Sequence, residues 1–474
     1  MAEGITAKKD ENISEWYSQV CLKSGLAEHS TVKGCYIIRP RGYFIWEKIQ
    51  EYFNQRLKLH GVKNAYFPLF IPEEFFKREA EHAKGFTPEV AWIDSKLTGK
   101  ENRLAVRPTS ETIMYDSYKN WVQSYKDLPL KINQWANVVR WETEATKLFL
   151  RSREFLWQEG HNVYETEEEC EKETFNYIEE YRKLSEELLA MPVILGKKTV
   201  NETFAGALFS LTIESFMPDG KSLQCGTSHK LGQGFAKSFN IKFIGRDEKK
   251  HYPWQNSWGF STRLIGGLVM LHSDDKGLVL PPKIAENQIV IIPILFEKTK
   301  DEVIKKAKEL EKQLKTFSPI LDLREEYSPG WKYNEYEMNG IPIRIEIGPR
   351  DIEKGHAVVV RRDNGKKDFV KLDKLKTKVQ LLLDDIQESL FQKAKNHLEN
   401  NLISVKKLEE FKQGIKNKKM IKAPFCCTTK CEESLRNKFE GVTARCISLE
   451  EDVNKKCIIC NKSAKNIVYF SRAY

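Results

Sequence analysis

No apolar stretch in these 474 residues approaches the length needed to cross a membrane. The segment from Met1 to Ile13 is polar and charged, without the apolar core of a signal peptide. Charge imbalance is modest: 77 Lys plus Arg against 67 Asp plus Glu, a net +10. That excess is compatible with a polyanionic partner but does not require one. These absences argue against a membrane-embedded or exported chain. The ten cysteines therefore read as reduced thiols or metal ligands in the cytoplasm, not as a disulfide frame. The length suffices for two or three domains with cores of their own.

Two distant stretches carry arginines suited to phosphate. The first is Asn137-Val-Val-Arg140-Trp-Glu142, a charged loop, then Arg151-Ser-Arg153-Glu-Phe155-Leu-Trp157-Gln-Glu159-Gly-His161. It reads as a hairpin of two strands. The rigid guanidinium fork matches phosphate oxygens in a way lysine does not. The second, Asn256-Ser-Trp-Gly259-Phe-Ser-Thr-Arg263-Leu-Ile-Gly266-Gly267, sets Arg263 at the start of an apolar, glycine-containing run. Such a run fits a helix packed tightly on a sheet.

Arg140-x-Glu142 with Arg151-x-x-x-Phe155 resembles motif 2 of class II aminoacyl-tRNA synthetases, and the run ending in Arg263 resembles motif 3. Pro40 to Leu59, read as a helix, and Lys63 to Pro68, read as a strand, resemble motif 1. Arg107-Pro-Thr109-Ser-Glu111-Thr, Phe155-Leu-Trp-Gln-Glu-Gly-His161, Gln224-Cys-Gly-Thr-Ser-His229 and the terminal tyrosine are similar to prolyl-tRNA synthetases of the archaeal and eukaryotic-type branch. The likeness runs from about Trp16 to Tyr474. Ser152 and Ser261 stand where the family often has threonine, and Cys225 where it often has glycine.

The resemblance implies an α+β fold: a class II catalytic domain (antiparallel sheet flanked by helices) over 1–282, an α/β anticodon-binding domain over 283–385 and a small zinc-bearing C-terminal domain over 386–474. It implies activation of L-proline by ATP with Mg2+, transfer to tRNA(Pro), and a homodimer built on motif 1. By resemblance, Arg140 bridges the amino-acid carboxylate and the α-phosphate, and Arg151 and Arg263 hold the outer phosphates. Phe155 stacks on adenine and Glu142 accepts its amino hydrogen; Ser152, Gln224, Thr227 and Ser261 complete the ATP side. Thr109 and Glu111 meet the proline ammonium, and Trp157, Phe216 and His161 wall the ring, with Glu159 and His229 beside them. Thr109 and Glu111 also suit the start of a helix after Pro108. No covalent nucleophile and no dedicated general base is expected, since the catalytic effect is positional and electrostatic.

Between His161 and Arg263 lies an amphipathic helix, about Glu167 to Ala190, with Phe175, Ile178, Tyr181, Leu184 and Leu188 at three- and four-residue spacing. Little room remains there for an inserted editing domain. Pro281-Pro282 marks a boundary. Strands alternating with helices beyond it predict a largely parallel sheet, with Asp363-Asn-Gly365 as a turn. Arg344, Glu346 and Arg350 there suit either guanine edges or plain ion pairs. A long helix follows, from about Leu372 to Leu398. The lysine-rich stretch from Lys393 to Lys422 suits a solvated helical face or an RNA-backbone contact. Six cysteines follow residue 425. Cys457-x-x-Cys460 and Cys426-x4-Cys431 have ligand-pair spacing for a structural zinc, with Cys427 able to replace Cys426. Cys225 with His229 makes too small a set for a catalytic metal.

Overall fold

The predicted hairpin is two long strands, Leu130–Val139 and Glu154–Tyr164, paired from Leu130↔Val163 to Val139↔Glu154. In this computed structural model, residues 4–80, 90–94, 96, 103–141 and 145–474 are described. The hairpin lies near one edge of a sheet of eleven strands among the described residues. Next to Glu154–Tyr164 run Trp254–Ser261, Lys221–Gly232, Phe209–Phe216 and Ile194–Lys197 in that order, all antiparallel. On the other side Lys63–Asn64 adds a short parallel edge.

Helices cover one side. Pro40–Leu59 has proline at its first turn, where its missing amide costs nothing. Its buried Ile45, Trp46, Ile49 and Phe53 join Trp16, Tyr17 and the helix Arg263–His272 in one core. Gly266 brings the last helix close: a Cβ there would sit 2.6 Å from Leu150 Cδ2. The strand expected over Lys63–Pro68 stops at Asn64. Beyond it the Phe67 amide donates to the Gln134 side chain, and the Phe67 carbonyl accepts from Arg107 at 2.8 Å. Side chains there take the bonds a neighbouring strand would have made.

The amphipathic helix is Glu167–Lys183, capped by Thr166, with a wider π turn over Leu184–Leu188. Ile178, Tyr181 and Leu184 are buried as expected, but Phe175 is exposed and lies against Phe209. Tyr177 takes the buried place and stacks on Trp258 at 4.1 Å.

Ile289–Pro293 lies between Ile320–Leu321 and Ile343–Ile347, all parallel; His356–Arg361 and Lys367–Lys371 continue the sheet antiparallel. The sheet is thus mixed, because a tight turn at Asp363–Gly365 can only reverse the chain. The helix Leu375–Asn401 packs on this sheet through Val379, Leu383 and Ile386. Farther on, its Leu398 meets Phe216 and Met420. Beyond it, four strands, Leu402–Ser404, Met420–Phe425, Val442–Lys456 and Ser463–Ala473, extend the catalytic sheet itself. Val442–Lys456 pairs with Ile194–Lys197, and Ser463–Ala473 with Lys221–Gly232. The zinc-bearing unit expected over 386–474 thus shares its strands with the catalytic sheet. No helix among the described residues is long and apolar enough to cross a membrane.

Candidate active site

Four neighbouring strands of the large sheet underlie a cavity of about 610 Å³. The two-residue alternation of Glu154–Tyr164 turns Phe155, Trp157, Glu159 and His161 to it together. Gln224, Thr227 and His229 come from Lys221–Gly232, and Ser257 and Ser261 from Trp254–Ser261. Thr109, Glu111, Arg140 and Arg263 complete the wall.

One end is acidic and closed. Glu159 accepts from the amide (3.1 Å) and hydroxyl of Ser110, from Gln134 Nε2 at 2.9 Å and from His161 Nε2 at 3.0 Å. Ser110 is the residue before helix Glu111–Trp121, yet its hydroxyl serves Glu159 and does not cap the helix. Burial alone would raise the Glu159 pKa, but His161, Ser110 and Gln134 outweigh it and lower the value. Burial alone would lower His161; Glu111 first, then Glu159, raise it. The Thr109 hydroxyl hydrogen-bonds to Glu111, which is 4 % exposed and makes no ion pair among the described residues. Glu111, Glu159 and His161 bring their polar atoms within 4.8 Å of one another. Both Glu159 oxygens are engaged, so Glu111 is the buried carboxylate left to meet a cation such as an ammonium. His229 is different: burial, then His161 and Lys198, push it down to about 3. It is a neutral ring 2.7 Å from Ser210 Oγ and 4.7 Å from the Phe204 ring.

The opposite end is cationic. Arg263 Nε donates to the Leu150 carbonyl at 3.1 Å. Burial, then repulsion from Arg140, lowers its pKa. Two guanidiniums close enough to repel form a site for an anion. Arg140 Nε donates to the Pro108 carbonyl at 3.2 Å, and its guanidinium lies 5.5 Å from the Phe155 ring and 5.4 Å from the Trp157 ring. Trp157 Nε1 and Ser257 Oγ, both buried at the wall, have no hydrogen-bond partner among the described residues. Unmet buried polar atoms in a cavity mark where a ligand bonds.

Not every expected residue reaches this cavity. Phe216 does not: it stacks on His397 at 5.9 Å and packs with Leu398 and Met420. It faces the same side of its strand as Ser210 but six residues farther along, about 20 Å away. Arg151 is exposed on the hairpin loop, and Ser152 is buried with its hydroxyl donating to the Glu154 carbonyl at 2.8 Å. Neither lines the cavity. Glu142 lies outside the described residues. Conversely, Lys198, Glu202, Phe204 and Ser210 line the cavity but were missed by sequence reasoning. Three of them sit in a loop without periodicity, which leaves no signal to read.

At the far end of the sheet, Cys426, Cys431, Cys457 and Cys460 converge, their sulfurs all within 4.8 Å of one another. Cys427 is not among them. Its positive φ of 57° turns the thiol toward the Phe425 carbonyl and Asn466. Four sulfurs from two spaced pairs suit a tetrahedral zinc.

In the α/β sheet, Arg344 donates to Glu337 at 3.0 Å and to Glu346 at 2.9 Å, and lies 4.0 Å from the Tyr333 ring. Arg344 and Glu346 thus satisfy each other. Arg350 instead borders a separate cavity of about 590 Å³ with Phe296 and Lys298.

Three family models match in register with these units. They are the tRNA synthetase class II core domain (G, H, P, S and T) over 93–272, the anticodon binding domain over 288–382 and the prolyl-tRNA synthetase C-terminal domain over 408–474. No editing domain is evident from these matches. A proline–tRNA ligase of Natranaerobius thermophilus is 48 % identical, covering 98 % of this chain and 97 % of its own. One from Clostridium botulinum strain Loch Maree is 49 % identical over the same shares. Proline–tRNA ligase 2 of Bacillus thuringiensis subsp. konkukian is 47 % identical, with 98 % of each chain covered. With the cavity's acidic and cationic ends and near full-length identity of almost half, the chain belongs to the prolyl-tRNA synthetase family of class II aminoacyl-tRNA synthetases.

Proposed function

We propose that the chain activates L-proline with ATP to prolyl-adenylate and pyrophosphate, then transfers the prolyl group to the 3′ end of tRNA(Pro). One observation carries this reading: a buried Glu111, which makes no ion pair among the described residues, with Thr109 at one end of the cavity, and the mutually repelling Arg140 and Arg263 at the other. The proline ammonium meets Glu111 and Thr109. Its ring lies against Trp157, with Glu159, His161 and His229 holding the pocket. Its carboxylate points to Arg140. ATP enters as its Mg2+ complex, adenine at Phe155, with Gln224, Thr227 and Ser261 beside it and the phosphates at Arg263. By resemblance, Glu142, Arg151 and Ser152 are assigned to the ATP side.

A carboxylate oxygen attacks the α-phosphorus, the bond to the β-phosphate breaks, and pyrophosphate leaves. The arginines stabilise the charge gathered on the phosphate oxygens. A ribose hydroxyl of the tRNA then displaces AMP from the carbonyl. No side chain forms a covalent bond in either step.

The short span from 161 to 263 and the C-terminal unit favour the archaeal and eukaryotic-type branch, although the relatives named above are bacterial. A pocket for a small apolar ring discriminates by lost contacts alone, at roughly 1–3 kcal/mol per missing methylene. The chain therefore activates alanine and cysteine measurably and does not hydrolyse the mischarged tRNA. Arg350 and the Phe296 cavity serve the anticodon, with Arg344 and Glu346 as its support. The cysteine cluster holds one zinc that cross-links strand ends. Exposed Tyr43 and Tyr66, within motif 1, and Ile37 just before it suit a homodimer contact. All ten cysteines are unpaired, as in the reducing cytoplasm.

Pyrophosphate exchange with a panel of amino acids tests the reading. Proline is expected to support the fastest exchange; a preference for threonine, serine or histidine would overturn it. Elemental analysis of the purified chain should find about one zinc, lost in a Cys457→Ser, Cys460→Ser variant together with thermal stability.

A further inference from the structure

The cavity wall made by residues 198–204 is held from two sides, by the catalytic strand Phe209–Phe216 and by the C-terminal unit. Lys198, Glu202 and Phe204 line the cavity. The loop leaves strand Ile194–Lys197, whose free edge is bonded to the C-terminal strand Val442–Lys456 through Ile447↔Lys197 and Ser448↔Gly196. Gly196 permits that approach: a Cβ there would lie 2.6 Å from the Ile447 carbonyl oxygen and 2.7 Å from Cys446 Sγ.

Side chains then fasten the loop. Lys198 Nζ donates to Glu214 at 2.9 Å and to the Arg445 carbonyl at 3.0 Å, while Arg445 Nη2 donates to the same Glu214 at 2.9 Å. Glu214 is fully buried, so this triad is fixed. Thr429 Oγ1 donates to Asn201 at 3.2 Å, and Arg436 pairs with Glu202. The buried Glu432 faces Thr199 and Asn201. Thr429, Glu432 and Arg436 all lie on helix Thr429–Lys438, which also carries Cys431 of the cysteine cluster. From the catalytic side, Lys198 N donates to the Ser210 carbonyl at 2.8 Å and Phe204 N to Ser210 Oγ at 3.0 Å, and the Phe204 ring lies on His229. These hold the two ends of the segment, and the C-terminal helix holds its middle at Asn201 and Glu202.

We propose that helix Thr429–Lys438 and strand Val442–Lys456 form the positioning element for the 198–204 wall, so that the C-terminal unit sets the affinity of the amino-acid pocket. This rests on reading the cavity as the proline site. Arg436 and Thr429 are positioning residues: they act on substrate only through Glu202, Asn201 and Phe204. Their loss should loosen the wall around the small substrate and leave the phosphate end, on other strands, as it was.

The test uses the full chain with Arg436→Ala and Thr429→Val combined. In proline-dependent pyrophosphate exchange, KM for proline should rise about 5-fold, with kcat within about 2-fold and KM for ATP unchanged. Arg436→Lys, which keeps the pair, should stay near the parent. Amide exchange at 199–204 should quicken in the double variant without substrate present. Unchanged KM for proline together with unchanged amide protection would overturn the proposal, as would equal losses in kcat and both KM values. Should the double variant unfold, Asn201→Ala, in an exposed position, carries the same expectation. A parent chain without proline-dependent exchange would overturn the reading of the cavity instead, and the amide-exchange arm would still decide whether the C-terminal helix holds the wall.

Discussion

Arg263, half-buried at the cavity, and Arg445, buried in the same sheet, are both desolvated, yet their pKa values move in opposite directions. Burial and then Arg140 lower the Arg263 pKa. For Arg445, burial alone would lower it, but Glu214 outweighs that and raises it. Arg324 and Arg344 resemble Arg445, held by Asp322 and Glu335 and by Glu337 and Glu346. A cation neutralised by carboxylates of its own chain is part of the scaffold. One set beside another cation, with its side-chain hydrogen bond among the described residues going to a backbone carbonyl, is stabilised by the anion that binds later. The residue type alone does not distinguish the two.

The largest effect should come from breaking a neutralised arginine. Arg445→Ala leaves Glu214 buried with Lys198 as its remaining cation, at a cost of about 3–5 kcal/mol. Chemical denaturation should register it as a lower midpoint; a midpoint like the parent's would erase the distinction drawn here. Arg263→Ala should do the reverse. Exchange activity is expected to fall ~100–1000-fold while the denaturation midpoint holds or rises, because a repulsion is removed. Lysine at that position should not restore it, lacking the guanidinium fork.

The acidic end offers a milder test by pH. Glu159 sits below its ordinary 4.5, so its contribution is full above that value and lost as pH falls through the folded one. His161 sits above its ordinary 6.5, so its contribution is full below 6.5 and lost as pH rises through the folded value. Melting temperature followed from about pH 4 to about pH 9 should therefore decline at both ends. In His161→Gln the alkaline decline should shrink; if it is unchanged, another group is responsible. The smallest effect on activity is expected at Arg344→Ala, a buried guanidinium whose partners Glu337 and Glu346 keep some contact with solvent, so that stability should fall by about 1–3 kcal/mol. Proline activation should be unaffected there, and a loss of exchange would place Arg344 in the wrong class.

Much of the cavity was legible because its residues alternate along a strand or begin a helix. Phe155, Trp157, Glu159 and His161 share a face by the two-residue repeat, and Arg263 opens an apolar run that could only be a buried helix. Phe216 obeyed the same repeat but failed on distance along the strand, which alternation does not encode. Glu202 was invisible because its partner, Arg436, lies more than two hundred residues away, and Phe204 because it follows a segment without periodicity. Spacing could not choose between Cys426 and Cys427 either; one left-handed backbone angle does.

The shared sheet also has a consequence for how the chain is made. Strand Ile194–Lys197 leaves the ribosome long before its partner Val442–Lys456; Arg445 follows Glu214 by 231 residues. Through that interval the nascent catalytic sheet carries an open edge, able to pair with the wrong strand. Contacts of such high sequence separation close slowly. Protection of that edge during synthesis, by a chaperone or by the folding α/β domain, would then govern yield more than the stability of the finished protein.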